Sequence, residues 1–212
     1  MTDHKQLPFR VAELLCSRLC HDLISPVAAV SNGLELLVDE DGSVDSEVAG
    51  LVGFSIGQAA GWLTLFRVAY GLGGENADSL TVTDLGVLVD GVIEREKMSF
   101  DVPASDVVPG RDASKLSLNM AILGLEALPN RGRLLLDFNA GAGLEIKVTA
   151  QADGAALRPE TVAALQTGCD PDSLTARSVQ GYFTAWLARR FGSALSVSTG
   201  PDTVTLSVTL PQ

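Results

Sequence analysis

The sequence predicts an α+β protein: an N-terminal helical hairpin followed by a C-terminal α/β sandwich. Three observations lead there. Apolar residues recur at helical spacing through two long stretches, which end in glycines at 71, 73 and 74. Beyond about Ser79, helical patterns are interspersed with short alternating strands. The clearest strands come as hairpins around glycine-containing turns, and segregated helices and hairpins imply one sheet with helices over one face. The two parts are residues 1–75 and 76–212. No internal repeat or low-complexity linker interrupts them.

In the first helix, Val11, Leu15, Leu19, Pro26, Val30, Leu34 and Leu37 share a helical repeat from about Leu7 to Asp39, with Pro26 its one breaker. Residues 39–43 (Asp-Glu-Asp-Gly-Ser) are a turn signal. Ser43 is the expected N-cap of the second helix, which carries Val48, Leu51, Val52, Ser55, Ile56, Ala59, Trp62, Leu63, Phe66 and Tyr70. In the second part, Thr83-Asp84 is the expected cap of a helix over Leu85–Glu96. Phe100–Val102 and Asp106–Val108 are short strand or turn pieces. Ala113–Leu128 is apolar at helical spacing, and a turn follows at 129–132. Arg133–Asn139 and Gly143–Ala150 alternate as a hairpin around Ala140-Gly141. Pro159–Gln166 and Ala176–Phe191 are expected helices. Ala194–Thr199 and Thr203–Leu210 form a last hairpin around Gly200-Pro201-Asp202.

Two helices of this length carry more apolar face than a single hairpin can bury. The economical solution is a four-helix bundle made by two chains, so a symmetric dimer is predicted on packing grounds. The alternative is that the second part of the same chain covers the stripe.

Bulk properties narrow the function. Hydrophobic residues make up 46% of the chain and charged residues 19%, a globular balance. The net charge is -11, with 15 Lys and Arg against 26 acids, which disfavours nucleic acid and anionic membrane surfaces as partners. No continuous apolar run reaches the roughly 18 residues expected of a bilayer span. The opening residues lack an apolar signal core, and three cysteines without paired spacing fit a reducing compartment. A cytoplasmic location is expected.

There are two histidines. His4 lies close to the terminus. His21 lies mid-helix in Leu19-Cys20-His21-Asp22-Leu23-Ile24-Ser25-Pro26. At 100° per residue it falls about 140° from the centre of the apolar stripe, so it should point outward. A neutral imidazole has a lone pair that can attack phosphorus. Asp22 is placed to hold the opposite ring nitrogen protonated. Pro26 cannot donate an N–H to the Asp22 carbonyl, and its ring clashes there, so a kink beyond the histidine is expected. A bare His-Asp pair is usually a surface pair, but Ser25-Pro26 on the same hairpin changes the reading. Cys16 and Cys20, four apart, read as small packed apolar residues before they read as metal ligands. Glu94 through Lys97 is a solvated charge run, and Trp62 with Phe66 reads as core.

The string from His21 to Pro26 resembles the H-box of two-component histidine kinases. The fuller context is closer to the ChpT-type histidine phosphotransferases of alphaproteobacteria. Arg18-Leu19-Cys20-His21-Asp22, then Ser25-Pro26, then Gly33-Leu34-Glu35-Leu36-Leu37 carry that resemblance. Residues 66–71 (Phe-Arg-Val-Ala-Tyr-Gly) and Leu157-Arg158-Pro159-Glu160 extend it over nearly the whole chain. It implies a dimerisation and histidine-phosphotransfer hairpin beside a degenerate sandwich resembling the histidine kinase (GHKL) ATPase domain.

What the resemblance leaves missing is informative. Aligning Leu118-Asn119 and residues 129–132 to the ends of the kinase N-box puts Leu123 at the metal-binding Asn position. Aligning Leu157 through Glu160 to the first glycine box puts Ala152 over the adenine-reading Asp and Ala156 over the second Gly. A shift of one residue would bring Asp153 to that position and leave the other losses unchanged. The lid glycines correspond to about Val179–Phe183, where only Gly181 remains. Leu and Ala cannot ligate a hard cation.

The resemblance therefore implies a histidine phosphotransferase that relays a phosphoryl group between receiver-domain aspartates through His21, aided by Asp22. No cofactor of its own is expected, with Mg²⁺ supplied by the partner receiver. Arg18, Ser25, Pro26 and Asn32 are candidate receiver contacts. The implied partners are the receiver of a CckA-like hybrid kinase, CtrA-like and CpdR-like regulators, and a second copy of the chain. The alternatives are an ATP-using sensor kinase with atypical boxes, distinguishable by nucleotide affinity, and a scaffold that docks receivers without accepting phosphate.

Overall fold

The computed structural model describes residues 6–38, 42–71, 78–94, 97–105 and 107–211. His4 and the turn residues 39–41 lie outside them. Two long helices, α1 (Phe9–Glu35) and α2 (Ser46–Ala69), form the hairpin. There follow α3 (Val82–Asp90), β1 (Met98–Asp101), α4 (Gly110–Ala127), β2 (Gly132–Ala140), β3 (Leu144–Gln151) and α5 (Pro159–Leu165). A 3₁₀ turn at Pro171–Ser173, α6 (Val179–Arg190), β4 (Ser196–Thr199) and β5 (Thr203–Leu210) complete the chain. The α+β class is as expected. The five strands are ordered β1-β2-β3-β5-β4. All pairs are antiparallel except β1 with β2.

The period-two pattern of the strands decides which face is covered. Leu134, Leu136 and Phe138 of β2 pair with Ala150, Val148 and Ile146 of β3, and these pair in turn with Val204, Leu206 and Val208 of β5. All nine are buried, while the residues between them face outward or are half-buried. The helix α4 lies on this inner face and is the centre of the core: Leu116, Leu118, Met120, Ile122 and Leu123 are fully buried. It approaches closely because Gly124 has no side chain. A Cβ there would lie 2.6 Å from Leu134 and 2.8 Å from Val148.

Several helix boundaries differ from the sequence expectation. Asp45, not Ser43, caps α2, accepting from the N–H groups of Glu47 and Val48 at 2.8 and 3.1 Å. A bridge between Val38 and Val44 holds the chain extended past Ser43, so the turn into the helix comes later. For α3 the cap is Thr81 rather than Thr83, in a reciprocal capping box with Asp84. That helix stops at Gly91 because Val92 and Ile93 turn into the core. Residues 95 and 96 of the expected helix lie outside the described residues. Similarly, α6 starts at Val179 rather than Ala176, because the Ser178 hydroxyl accepts from the Thr175 N–H at 3.0 Å in a turn of its own. Residues 107–108 join no strand, and 106 is outside the described residues. Pro26 lies within α1 without ending it.

Hairpin and sandwich share one core. Val11, Leu14 and Leu15 of α1 and Leu65, Phe66, Val68 and Ala69 of α2 are buried with the residues of α4 and α6. The joint is polar as well as apolar. The fully buried Asn119 of α4 donates to the carbonyls of Ala69 (2.7 Å) and Lys115 (2.8 Å). Gln180 of α6 donates to Asn119 Oδ1 at 2.9 Å and accepts from the Tyr70 hydroxyl at 2.6 Å. A run of rings, Trp62, Phe66, Tyr70, Phe183 and Trp186, crosses the same seam with neighbouring centroids 5.0 to 6.0 Å apart. Trp62 and Phe66 are thus core-facing, as expected.

The far end of the hairpin is different. Ile24, Val27, Leu34, Leu51 and Phe54 are each more than half exposed. Within this chain the sandwich covers only the part of the stripe near the seam. The helix α2 also contains a window of mean hydropathy 1.4 and is, by length and composition, long and apolar enough to cross a bilayer. The sequence reading missed it because Gly, Ser, Gln and Thr break the continuous run while the segment carries almost no charge.

Thr81→Ala should lower stability at neutral pH by about 1 kcal/mol, measured by urea unfolding, because the α3 cap is lost. Hydrogen bonds from the Thr81 side chain and backbone hold the Asp84 carboxyl below its ordinary pKa. A depressed pKa stabilises the fold above the unfolded value, and that stability is lost as pH falls through the folded one. The difference between the two proteins should therefore narrow in acid.

Candidate phosphotransfer site

His21 lies on the part of α1 nearest the sandwich, where the helix face is fixed by packing of Leu14 and Leu15 below it. Its side chain is 86% exposed, as the helical wheel predicted. The ring atom Nδ1 lies 3.3 Å from Asp22 Oδ1. With Nδ1–H donating to that carboxylate, Nε2 keeps its lone pair on a side chain open to solvent. This is the arrangement a nucleophilic imidazole needs.

Arg18 stands one turn earlier. Its Nη2 lies 2.6 Å from Glu126 Oε1 on α4, and its Nε lies 3.5 Å from Asp22 Oδ2. The Arg18 and Glu126 side chains are only 12% and 16% exposed. Burial works against the Arg18 charge, but Glu126, Tyr70 and Asp22 more than offset it, and its pKa stays raised. Burial pushes the Glu126 carboxyl up, against the opposing pull of Arg18. Burial likewise pushes the Tyr70 phenol well up.

His21, Asp22, Arg18, Glu126, Arg158, Ala176 and Arg177 line a cleft of about 620 Å³. Arg158 and Arg177 are exposed. In a chain of net charge -11, two exposed arginines lining the same cleft as the imidazole make a local site for an anionic group, which guanidinium recognises well.

The sequence-predicted contacts divide. Ser25 and Asn32 are exposed on α1. Pro26 is buried and Arg18 is drawn inward to Glu126, so neither is open surface. Cys16 and Cys20 are exposed, not packed; they lie on the side of α1 that turns away from the core. Among the described residues, no group of three or more His, Cys, Asp or Glu is placed to hold a metal ion. Sequence reasoning missed Glu126, Arg177 and the role of Arg158 as cleft wall. Leu157-Arg158-Pro159-Glu160 carried a family signal without saying what Arg158 faces. Nothing near Glu126 pointed to a site, because its partner is 108 positions away and only the tertiary fold joins them.

The family model for the histidine phosphotransferase C-terminal domain matches residues 82–203. The chain is 33% identical over 196 residues to protein phosphotransferase ChpT of Brucella abortus (strain 2308), covering 92% of each. A bacterial phosphotransferase of known structure overlays with a TM-score of 0.81 at 27% identity, covering 96% of this chain and 97% of that one. The histidine kinase domain of the Erythrobacter litoralis blue-light-activated kinase EL346 overlays more loosely, with a TM-score of 0.46 at 15% identity. The match to the family model and the identity to the Brucella protein show that the chain belongs to the histidine phosphotransferase family and is ChpT-like.

Proposed function

We propose that this phosphotransferase is a phosphorelay intermediate that carries the phosphoryl group on His21 Nε2 and does not use ATP. The observation that carries the reading is the exposed His21 ring with Nδ1 against Asp22, lining a cleft that Arg158 and Arg177 also line. In the forward step Nε2 attacks the phosphorus of a phosphoaspartate on a donor receiver. The N–P bond forms as the aspartyl O–P bond breaks, and the Nδ1 proton stays on the ring beside Asp22. An aspartate of an acceptor receiver then takes the group. Positioning and charge neutralisation suffice for so loose a transition state. The receivers supply Mg²⁺. By likeness to its family, the donor is the receiver of a CckA-like hybrid kinase and the acceptors are CtrA-like and CpdR-like regulators, all in the cytoplasm. Ser25, Asn32 and the cleft arginines are their docking contacts.

Independence from ATP is supported by what fills the sandwich. Leu123, at the position where a kinase N-box has its metal-binding Asn, is fully buried. The segment matching the lid, Val179–Phe183, is a buried stretch of α6. It lies so close to α5 that a Cβ on Gly181 would be 2.8 Å from the Thr161 carbonyl. Asn119, the polar residue left in the box, has its amide committed to Ala69, Lys115 and Gln180.

A homodimer is part of the proposal. The uncovered Ile24, Val27, Leu34, Leu51 and Phe54 suit a four-helix bundle with a second hairpin.

His21→Ala should abolish labelling by a phosphorylated receiver in a gel-based transfer assay; labelling that survives removes His21 as the carrier. Calorimetric titration with a non-hydrolysable ATP analogue and Mg²⁺ should show no saturable binding, and micromolar affinity would favour a kinase. Phe54→Arg should shift sedimentation from dimer to monomer with helicity kept, and a wild type that sediments as a monomer refutes the bundle.

A further inference from the structure

Resting on His21 as the carrier, we propose that Glu126 of the sandwich is a positioning residue for phosphotransfer. It holds the Arg18 guanidinium and so leaves the Asp22 carboxylate to the His21 ring. Three distances carry this. Arg18 lies 2.6 Å from Glu126 and 3.5 Å from Asp22, and the other Asp22 oxygen lies 3.3 Å from His21 Nδ1. One carboxylate therefore stands between a cation and the imidazole, and its allegiance depends on how fully the cation is matched elsewhere.

Arg18 is too enclosed to be matched by water, with 12% of its side chain exposed. A guanidinium in such surroundings closes on the nearest carboxylate. With Glu126 present, that is Glu126. Without its charge, the next carboxylate is Asp22, one helical turn away at the spacing that favours ion pairs. Asp22 is then drawn off Nδ1. The ring loses its fixed tautomer, and the proton redistributes toward Nε2, the atom whose lone pair must meet phosphorus. The degenerate sandwich thereby contributes to the reaction through α4 without holding nucleotide.

The test uses the full chain and phosphoramidate, a small donor that needs no receiver. His21 Nε2 bonds to phosphorus, the donor P–N bond breaks, and ammonia leaves. Wild type, Glu126→Gln, Glu126→Asp and the double variant Arg18→Gln/Glu126→Gln are compared for labelling rate and, by ¹⁵N NMR of the ring nitrogens, for the His21 tautomer. Glu126→Gln should lose about tenfold or more in rate and shift from Nδ1–H toward Nε2–H. Glu126→Asp should recover part of both. The double variant, lacking the cation that seizes Asp22, should react faster than Glu126→Gln and return to Nδ1–H.

A Glu126→Gln protein with wild-type rate and tautomer overturns the proposal. So does a double variant no better than the single, or a loss confined to receiver-driven transfer, which would make Glu126 a docking residue. If circular dichroism shows Glu126→Gln unfolded, Glu126→Asp decides: a slower rate with a ring moved part of the way toward Nε2–H supports the proposal, and wild-type rate and tautomer overturn it. A receiver that fails to label wild type counts against the relay and leaves the phosphoramidate and NMR results standing.

Discussion

Asn119 is the point at which two halves of the chain become one body. A buried amide must satisfy both of its ends, and here no single element can do so. Its N–H groups reach the last turn of α2 and its own helix, while its carbonyl accepts from Gln180 of α6, which is itself held by Tyr70. Apolar burial pulls hairpin and sandwich together without specifying an angle. The amide pair specifies it, because a small rotation at the seam would strand buried polar groups at a cost of about 1–3 kcal/mol each. Everything at the proposed phosphotransfer site inherits this fixed angle, since His21 and Asp22 come from one side of the seam and Glu126, Arg158 and Arg177 from the other.

The legible part of the fold was what local pattern controls. The alternation of Leu134, Leu136 and Phe138 and the helical repeat of α4 set their elements within one to three residues. Boundaries were less legible where a cap competes with a second local interaction. Ser43 had the chemistry of a cap, but the Val38–Val44 bridge claimed its backbone conformation. Ser178 turned the chain before α6 could start. The site split the same way. His21 and Asp22 are neighbours on one helix, so spacing and the wheel placed both. Arg18 was read as a receiver contact because its own helix does not show its closest partner. Its neutralising partner lies on α4, and that pairing is a product of packing.

The same packing closes the interior of the sandwich. With α6 seated against α5 at Gly181 and against α4 through Gln180 and Asn119, the space between these helices is filled by the protein itself. The gain is rigidity at the seam, and the surface left over is a cleft lined by the His21 ring together with Arg158 and Arg177. Meanwhile the outer end of the hairpin keeps an apolar face that its own chain leaves uncovered, so the molecule divides its hydrophobic surface between an inward use and an outward one.

The stacked rings at the seam have a practical consequence. The chain has two tryptophans, and they stand at the two ends of that run, Trp62 on the hairpin and Trp186 on the sandwich. Trp186 also lies beneath the Arg190 guanidinium at 5.3 Å. Both indoles therefore sample the junction and nothing remote from it. Intrinsic emission of the unlabelled molecule is an optical gauge of whether the junction is shut, at rest or while another protein is engaged.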